Sequence, residues 1–203
     1  MQNIEKIKSF SSQKLTASYS NRHRQIITEL ESLLEKGIPD MTMSQIASTL
    51  KISLRTLYEI APSKDQLVIM TMDSILRKLG KHALDSISSI ESPIKKLEKY
   101  LNIVNQAVGP KFNSILKDID KFEGLGNMVD QHASFITNMT EKLLNQAMSK
   151  KEIKKIDSKA FSILLGGIGK EFIKEKNKLN DSTPEESANS ITGIILNGIK
   201  VKN

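Results

Sequence analysis

Cysteine and tryptophan are both absent from this 203-residue chain, and aromatic residues make up only 4% of it. The absence of cysteine excludes disulfide bonds, thiolate metal ligands and cysteine nucleophiles, and it fits a cytoplasmic location. The scarcity of aromatic residues disfavours β-strands. Only five prolines occur, and Pro93, Pro110 and Pro184 stand where a helix would begin. We therefore predict an all-α fold.

Long apolar runs are missing as well. No run of 18 apolar residues occurs, and Met1–Lys14 has scattered charges without the apolar stretch of a signal peptide. The sequence therefore predicts no membrane span. The net charge of +7 suits a polyanionic partner, either DNA or an anionic membrane surface, and does not by itself distinguish the two.

Helix-start and helix-stop signals predict about nine helices, with no internal repeat. Thr42, Ser63 and Thr183 each stand three residues ahead of Gln or Glu, which is the pattern of a capping box. Gly80 is expected near the end of the helix that follows Ser63. The predicted helices begin near residues 20, 43, 54, 64, 93, 110, 126, 158 and 184.

The informative segment is Thr42–Leu67, where two short predicted helices are separated by residues 51–53. A turn of this length, with Ala47 as the small residue at the helix crossing, is typical of a helix-turn-helix. The second helix of such a unit enters the major groove of DNA. The apolar residues that would pack the pair together are Ile46, Leu50, Ile52, Leu57 and Ile60.

The second helix of this pair exposes the candidate contacts to bases. Arg55 can form a bidentate pair with guanine, which is worth about 1–3 kcal/mol of discrimination between bases. Thr56 and Tyr58 can reach bases or phosphates. Helix N-termini attract phosphate through their free N–H groups, and the residues placed there are Thr42, Ser53 and Lys64.

The order T-x-x-x-I-A, I-S-x-x-T-L-Y and P-S-K-D-x-L resembles the DNA-binding domain of the TetR/AcrR repressors, over about residues 20 to 75. Two residues depart from the family pattern. Lys51 stands where a small residue, often glycine, is usual, and a left-handed lysine there costs about 1 kcal/mol. Ala61 stands where an aromatic residue is usual. The residues that carry the resemblance are Thr42, Ile46, Ala47, Ile52, Ser53, Thr56, Leu57, Tyr58, Ser63, Lys64 and Leu67.

The resemblance implies a homodimeric repressor that binds a palindromic operator in double-stranded DNA and is released by a small-molecule inducer. It implies a helix-turn-helix DNA-binding domain over residues 20–65 and a helical ligand-sensing and dimerisation domain over 66–203. Residues 1–19 are expected to be a flexible basic arm, which either contacts DNA or is simply a frayed terminus. The alternative is a regulator of the same fold that responds to a protein partner or to no ligand.

The second half carries weaker predictions. Phe112, Met128, His132, Phe135 and Met139 are the candidate lining of a ligand pocket, although residues on such a helix face are more often ordinary core. Family analogy suggests that the last two long helices pair across the dimer, with Gly166 and Gly167 permitting close approach; intrachain packing is the alternative. The candidate interface residues are Phe161, Leu165, Ile168, Ile191 and Ile195.

Two other classes of protein are less compatible with the sequence. An all-helical enzyme would need a nucleophile–base set, and none stands out, so we predict no enzyme and no cofactor. His23, His82 and His132 lie far apart in sequence, and no metal site is predicted. A membrane-surface protein would need bulky aromatic residues on the apolar face of a cationic helix.

Overall fold

The computed structural model of the protein describes residues 20–34, 41–109, 121–174 and 182–201. Within these ranges the chain forms eight α-helices, one 3-10 helix and no strand, which confirms the all-helical prediction. The predicted arm 1–19 and the predicted helix at Pro110 lie outside the described residues. The helices are α1 Asn21–Leu34, α2 Met43–Thr49, α3 Leu54–Ile60, α4 Lys64–Ser86, α5 Pro93–Val104, the 3-10 helix Asn105–Val108, α6 Leu125–Ser149, α7 Ser158–Lys174 and α8 Pro184–Ile199.

The chain divides into two compact units, residues 1–72 and residues 73–203, with the division inside α4. Each unit has its own apolar core. In the parts of the chain that the structure describes, none of the helices is long and apolar enough to cross a bilayer.

The core of the first unit is built by α1, α2, α3 and the first turns of α4. Ile26 and Leu57 are completely buried, and each such side chain contributes about 1.5–3 kcal/mol through the hydrophobic effect. Ala61 is 2% exposed, so the core closes over a methyl group at this position. The buried members of this core are Ile26, Ile27, Leu30, Met43, Ile46, Ala47, Leu57, Ile60, Ala61 and Leu67.

The short helices of the first unit begin at the caps that the sequence predicts. The Thr42 hydroxyl accepts a hydrogen bond from the Gln45 N–H at 3.3 Å, and the Gln45 side chain accepts one from the Thr42 N–H at 2.8 Å. Ser53 accepts from the N–H of Thr56 at 3.0 Å and so caps α3, and Ser63 accepts from the N–H of Gln66 at 3.2 Å and so caps the longer helix α4. Each cap contributes about 1 kcal/mol, a substantial share for helices as short as seven residues.

The helix α4 is longer than the sequence predicts, because it runs through Gly80 and ends at Ser86. A glycine inside a helix costs about 1 kcal/mol relative to alanine. Ala83 lies beyond Gly80 and is completely buried in the core of the second unit, and Ile87 follows the helix with 6% exposure. Burial of these later residues outweighs the local cost of the glycine, so the expectation of an end near Gly80 was wrong.

The second unit is built around α5, α6, α7 and α8. Its most deeply buried side chains come from all four helices, and Leu97, Leu101, Leu144, Leu165 and Leu196 are each at most 1% exposed. The last helix begins with the predicted capping box, in which Thr183 and Glu186 exchange hydrogen bonds of 2.8 and 3.2 Å.

Candidate DNA-binding interface

The turn between α2 and α3 fixes the geometry of the helix pair. The Ile52 N–H donates to the Ala47 carbonyl at 3.0 Å, and the Lys51 N–H donates to the Ser48 carbonyl at 3.1 Å. These two bonds form a Schellman motif, which places Lys51 in the left-handed region with φ of 52°. Lys51 therefore adopts the left-handed conformation whose cost was noted from the sequence, and the turn forms without the usual glycine.

The helix α3 buries one face and exposes the other. Leu57 and Ile60 are at most 5% exposed and pack into the core of the first unit, whereas Tyr58 is 49% exposed. The Arg55 side chain is 89% exposed, and its Nε donates to Oε1 of Glu59 at 3.2 Å. The bond uses Nε and the side chain is largely exposed, so the two Nη groups remain available for the bidentate contact that recognition of guanine needs.

Glu59 contacts two residues of the candidate interface and was missed by the sequence reasoning. Its Oε2 lies 3.7 Å from Nε2 of His23 on α1, while its Oε1 accepts from Arg55. A carboxylate therefore stands between two basic groups on the exposed side of the first unit. The spacing of Arg55 and Glu59 along one helix could have predicted the first contact, but nothing local connects Glu59 to His23.

The N-terminus of α3 holds two interacting hydroxyl groups. Ser53 accepts a hydrogen bond from the Thr56 N–H at 3.0 Å, and the two side-chain oxygens lie 2.7 Å apart. Ser53 is exposed and Thr56 is half-buried. The pair therefore presents one hydroxyl surface at the start of the helix that would enter the groove.

Basic side chains occupy two further helix starts in the first unit. Lys64 is the first residue of α4, and Arg22 and Arg24 are exposed in the first turn of α1. Arg22 donates to the Gln25 side chain at 3.1 Å. Three of the four arginines of the chain, Arg22, Arg24 and Arg55, lie in this unit, and that clustering is a sequence signal that could have identified the two on α1.

In the second unit, the candidate pocket residues Met128, His132, Phe135 and Met139 all lie on α6 and are buried or half-buried. Met139 packs against the core of this unit. Phe112, the fifth candidate, lies outside the described residues. These four residues lie on the side of α6 that faces the interior of the unit. That they line a ligand pocket remains a prediction.

The imidazole of His132 is committed to a contact within the chain. Its Nε2 lies 2.8 Å from Oδ1 of Asp73 on α4, and Oδ2 of Asp73 accepts from Nε of Arg77 at 2.7 Å. Burial raises the pKa of Asp73, but the hydrogen bonds to His132 and Arg77 outweigh burial, and the pKa lies below its ordinary value of 3.8.

Three hydroxyl groups in the second unit are buried without a hydrogen-bond partner among the described residues. They belong to Tyr100 on α5, Thr140 on α6 and Thr192 on α8. Burial raises the pKa of Tyr100 well above its ordinary value, so its hydroxyl keeps its proton and remains a donor. Buried polar atoms of this kind usually have partners, so these three are candidate contacts for a bound molecule.

The candidate dimer residues differ in exposure. Leu165 and Ile168 are 1% and 9% exposed within their own chain, Phe161 and Ile195 are half-buried, and Ile191 is 37% exposed. Large apolar side chains are also exposed on α7 and α8, and we call these residues the apolar face: Ile163, Leu164, Ile191 and Ile194.

A groove of about 380 Å³ lies between α6 and α7. Thr137 and Gly166 approach closely within it, because a Cβ atom on Gly166 would lie 3.2 Å from the Cα atom of Thr137. Gly166 therefore allows a close approach between α7 and α6 of the same chain. The described groove residues are Asp130, Ala133, Ser134, Thr137, Asn138, Lys159, Ile163, Gly166 and Gly167. Among the described residues, no three His, Asp or Glu side chains form a metal-binding group.

The described residues thus form an all-helical structure whose first unit contains a helix-turn-helix. No family model matches the chain. A curated relative, the uncharacterized HTH-type transcriptional regulator YvaF of Bacillus subtilis (strain 168), is 23% identical over 186 residues, covering 87% of this chain and 94% of the relative.

Solved structures of similar fold are transcriptional regulators. A TetR-family regulator from Pectobacterium atrosepticum matches with a TM-score of 0.71 at 14% identity, over 89% of this chain and 95% of that chain. AibR, solved in complex with isovaleryl coenzyme A and operator DNA, matches with a TM-score of 0.60 at 19% identity, over 86% and 97% of the two chains. The protein has the fold of TetR-family transcriptional regulators.

Proposed function

We propose that the protein is a TetR-family transcriptional regulator, a cytoplasmic homodimer without enzymatic activity that represses transcription from a palindromic operator. The observation that carries this proposal is the helix pair α2–α3, in which buried Leu57 and Ile60 hold the helix while Arg55 and Tyr58 face solvent. A basic, exposed helix face on a rigid turn is what insertion into the major groove requires.

The six candidate residues divide by role. Arg55 reads a guanine, with Thr56 and Tyr58 beside it on the same helix. Thr42, Ser53 and Lys64 stand at the starts of α2, α3 and α4, where backbone N–H groups and a lysine contact phosphates. Base contacts determine specificity, whereas phosphate contacts determine overall affinity and its dependence on salt.

This division is tested by titrating the protein with DNA from upstream of its own gene and with unrelated DNA, at several salt concentrations. Arg55→Ala should reduce the preference for the specific sequence, by about 1–3 kcal/mol at one base position. Lys64→Ala should weaken binding to both DNAs and lower the salt slope by about one. Lys142→Ala, which removes an exposed lysine from α6, serves as the control. If Arg55→Ala and Lys64→Ala both bind like the control, the docking of α3 is wrong.

We propose that the apolar face on α7 and α8 forms the homodimer contact, in which the predicted residue Ile191 is joined by the exposed residues Ile163, Leu164 and Ile194 of the same two helices. Two-fold symmetry would then present two α3 helices to half-sites about 34–36 Å apart, or a multiple of this distance. Ile194→Asp should convert dimers to monomers in sedimentation experiments and abolish tight operator binding. Asn145→Asp adds the same charge at an exposed position of α6 outside the groove and should leave the dimer intact. A dimer that survives Ile194→Asp would contradict this interface.

We propose that a small molecule in the second unit releases the DNA. The structure of AibR with isovaleryl coenzyme A and operator DNA supports this for a protein of the same fold. The buried hydroxyls of Tyr100, Thr140 and Thr192 offer hydrogen bonds to a ligand with polar groups. A ligand releases DNA only if it binds the DNA-free conformation more tightly. Screening metabolites against the operator complex tests this, and a complex that no small molecule releases would favour control by a protein partner or by no ligand.

A further inference from the structure

The positive charge of the second unit is concentrated at one place. Residues 73–203 contain 21 basic and 16 acidic side chains. Three short segments, residues 91–99, 150–155 and 198–201, hold eight lysines against three glutamates, so the remainder of the unit is balanced at 13 of each sign. We call the surface formed by these three segments the lysine face.

Hydrogen bonds join the three segments of the lysine face into one surface. The Lys154 N–H donates to the Ile199 carbonyl at 2.8 Å, and the Val201 N–H donates to the Glu152 carbonyl at 3.1 Å. The ammonium group of Lys150 donates to the Glu91 carbonyl at 3.0 Å. The charges are therefore held on a bonded scaffold.

The acidic side chains of the lysine face are largely used within it. Oε2 of Glu152 accepts hydrogen bonds from the Ser92 hydroxyl and from the Ile94 N–H, each at 2.8 Å, and so caps the N-terminus of α5. Glu98 pairs with Lys200. Both carboxylates bind groups within the lysine face, so the lysines without such partners leave its outer surface strongly cationic.

The ammonium groups of five lysines of the face make no hydrogen bond or ion pair with the described residues. Lys95, Lys99, Lys151 and Lys155 are exposed, and Lys96 is half-buried. Lys151 is held in the left-handed region, with φ of 58°, at the turn that follows α6. A group of unpaired ammonium ions on a fixed scaffold repels itself, and a polyanion that binds there relieves this repulsion.

We propose that the lysine face binds the phosphate backbone of a second DNA segment without sequence preference. The face contains lysine and no arginine. Lysine binds phosphate as a point charge, whereas the guanidinium group of arginine forms the paired hydrogen bonds that recognise guanine. The composition therefore favours contacts to phosphate over contacts to bases. A membrane would be favoured by several exposed large apolar side chains, and Val201 alone supplies one on the described part of this face. The choice of DNA rests on the proposed function, because DNA is then the polyanion that surrounds the bound protein.

The test measures capture of a labelled unrelated duplex by protein bound to an immobilised operator duplex. The variant carries Lys95→Gln, Lys99→Gln, Lys151→Gln and Lys155→Gln. The control carries Lys78→Gln, Lys81→Gln, Lys142→Gln and Lys159→Gln, four exposed lysines of the same unit outside the face, so both proteins lose the same charge. Each phosphate contact adds about 0.9 to the slope of log affinity against log salt concentration. Because the variant loses up to four such contacts, we expect it to capture the second duplex about tenfold or more weakly. Operator binding and the circular dichroism spectrum should be unchanged in both.

A second titration separates this proposal from the proposed function. Protein carrying Arg55→Ala and Lys64→Ala is titrated with unrelated DNA, with and without the four changes in the lysine face. Lysine-dependent binding there supports the face even if operator recognition by α3 fails. Equal capture by wild type, variant and control overturns the proposal. Binding that depends on the face but is confined to phosphatidylserine vesicles also overturns it, in favour of a membrane contact.

Discussion

The Nε2 atom of His132 lies 2.8 Å from the Oδ1 atom of Asp73, and this contact joins α6 to α4. Asp73 is only 9% exposed, and its second oxygen is bonded to Arg77 on the same helix. A buried carboxylate satisfied through both oxygens stabilises the fold only while its partners are present. Removing one partner leaves a buried charge and costs about 1–3 kcal/mol or more.

The first prediction concerns the pH dependence of stability that Asp73 introduces. Its pKa is lowered in the folded protein, so the stabilisation is fully present above the ordinary pKa of 3.8 and is lost as pH falls through the folded value. Urea unfolding of wild type and Asp73→Asn should therefore show a difference in unfolding free energy that shrinks as the pH falls below about pH 4.

The matched control for this prediction is Asp85→Asn, which changes an exposed carboxylate of the same helix that pairs with Lys81. Exposed pairs contribute about 0–1 kcal/mol, so this variant should differ little from wild type at any pH. A difference between wild type and Asp73→Asn that stays the same from pH 7 to pH 3 would contradict the role assigned to the carboxylate.

The contact between Asp73 and His132 also shows where sequence reasoning ends. The two residues are 59 positions apart, and neither has a local pattern that predicts the other. The caps at Thr42 and Thr183 were predictable because each depends on a residue three positions away. The length of α4 was not predictable, because burial of Ala83 in the second core decides it and tertiary packing overrides local propensity.

In the candidate DNA interface, too, features set by nearby residues were predictable and contacts between helices were not. Arg55 and Tyr58 were predictable as exposed residues because Leu57 and Ile60 define the buried face of one short helix. Glu59 was missed because its link to His23 joins two helices. On α7, the sequence did not show which apolar residues are buried and which are exposed. The packing of this helix in the structure separates buried Leu165 from exposed Leu164.

The second prediction compares the adjacent glycines of α7. A Cβ atom on Gly166 would lie 2.5 Å from Oγ1 and 3.2 Å from Cα of Thr137, so Gly166→Ala forces α6 and α7 apart. We expect a loss of about 1–3 kcal/mol in unfolding free energy. At Gly167 nothing lies within 4 Å, and Gly167→Ala should stabilise the helix by up to about 1 kcal/mol.

Thermal and urea unfolding of the two glycine variants decide between these outcomes. Gly166→Ala with wild-type stability would contradict the close packing against Thr137. Destabilisation by Gly167→Ala would indicate that another surface, such as the partner subunit, covers this position in solution. The protein concentration dependence of the unfolding midpoint would then distinguish a partner subunit from an intrachain contact.

The third prediction concerns the strained turn of the helix pair. Lys51 has φ of 52°, a conformation that costs a side chain about 1 kcal/mol and costs glycine little. Lys51→Gly should therefore raise the unfolding free energy of the first unit by up to about 1 kcal/mol. Lys51→Ala keeps a Cβ atom in the same conformation and should leave stability close to wild type. Equal stabilisation by both variants would attribute the effect to the lost charge instead of the backbone.

The last prediction concerns Glu59, the carboxylate that holds Arg55. Glu59 is 48% exposed on the helix proposed to enter the groove, where a negative charge is repelled by DNA phosphates. Glu59→Gln removes that charge and releases Nε of Arg55, so binding to both operator and unrelated DNA should strengthen by a few-fold, within the range of about 0–1 kcal/mol of an exposed pair. Fluorescence titration at two salt concentrations measures the change, and Asp85→Asn in the second unit controls for net charge. If Glu59→Gln weakens operator binding while unrelated DNA is bound as before, the carboxylate instead positions Arg55 for its base, and its repulsion of DNA is the smaller effect.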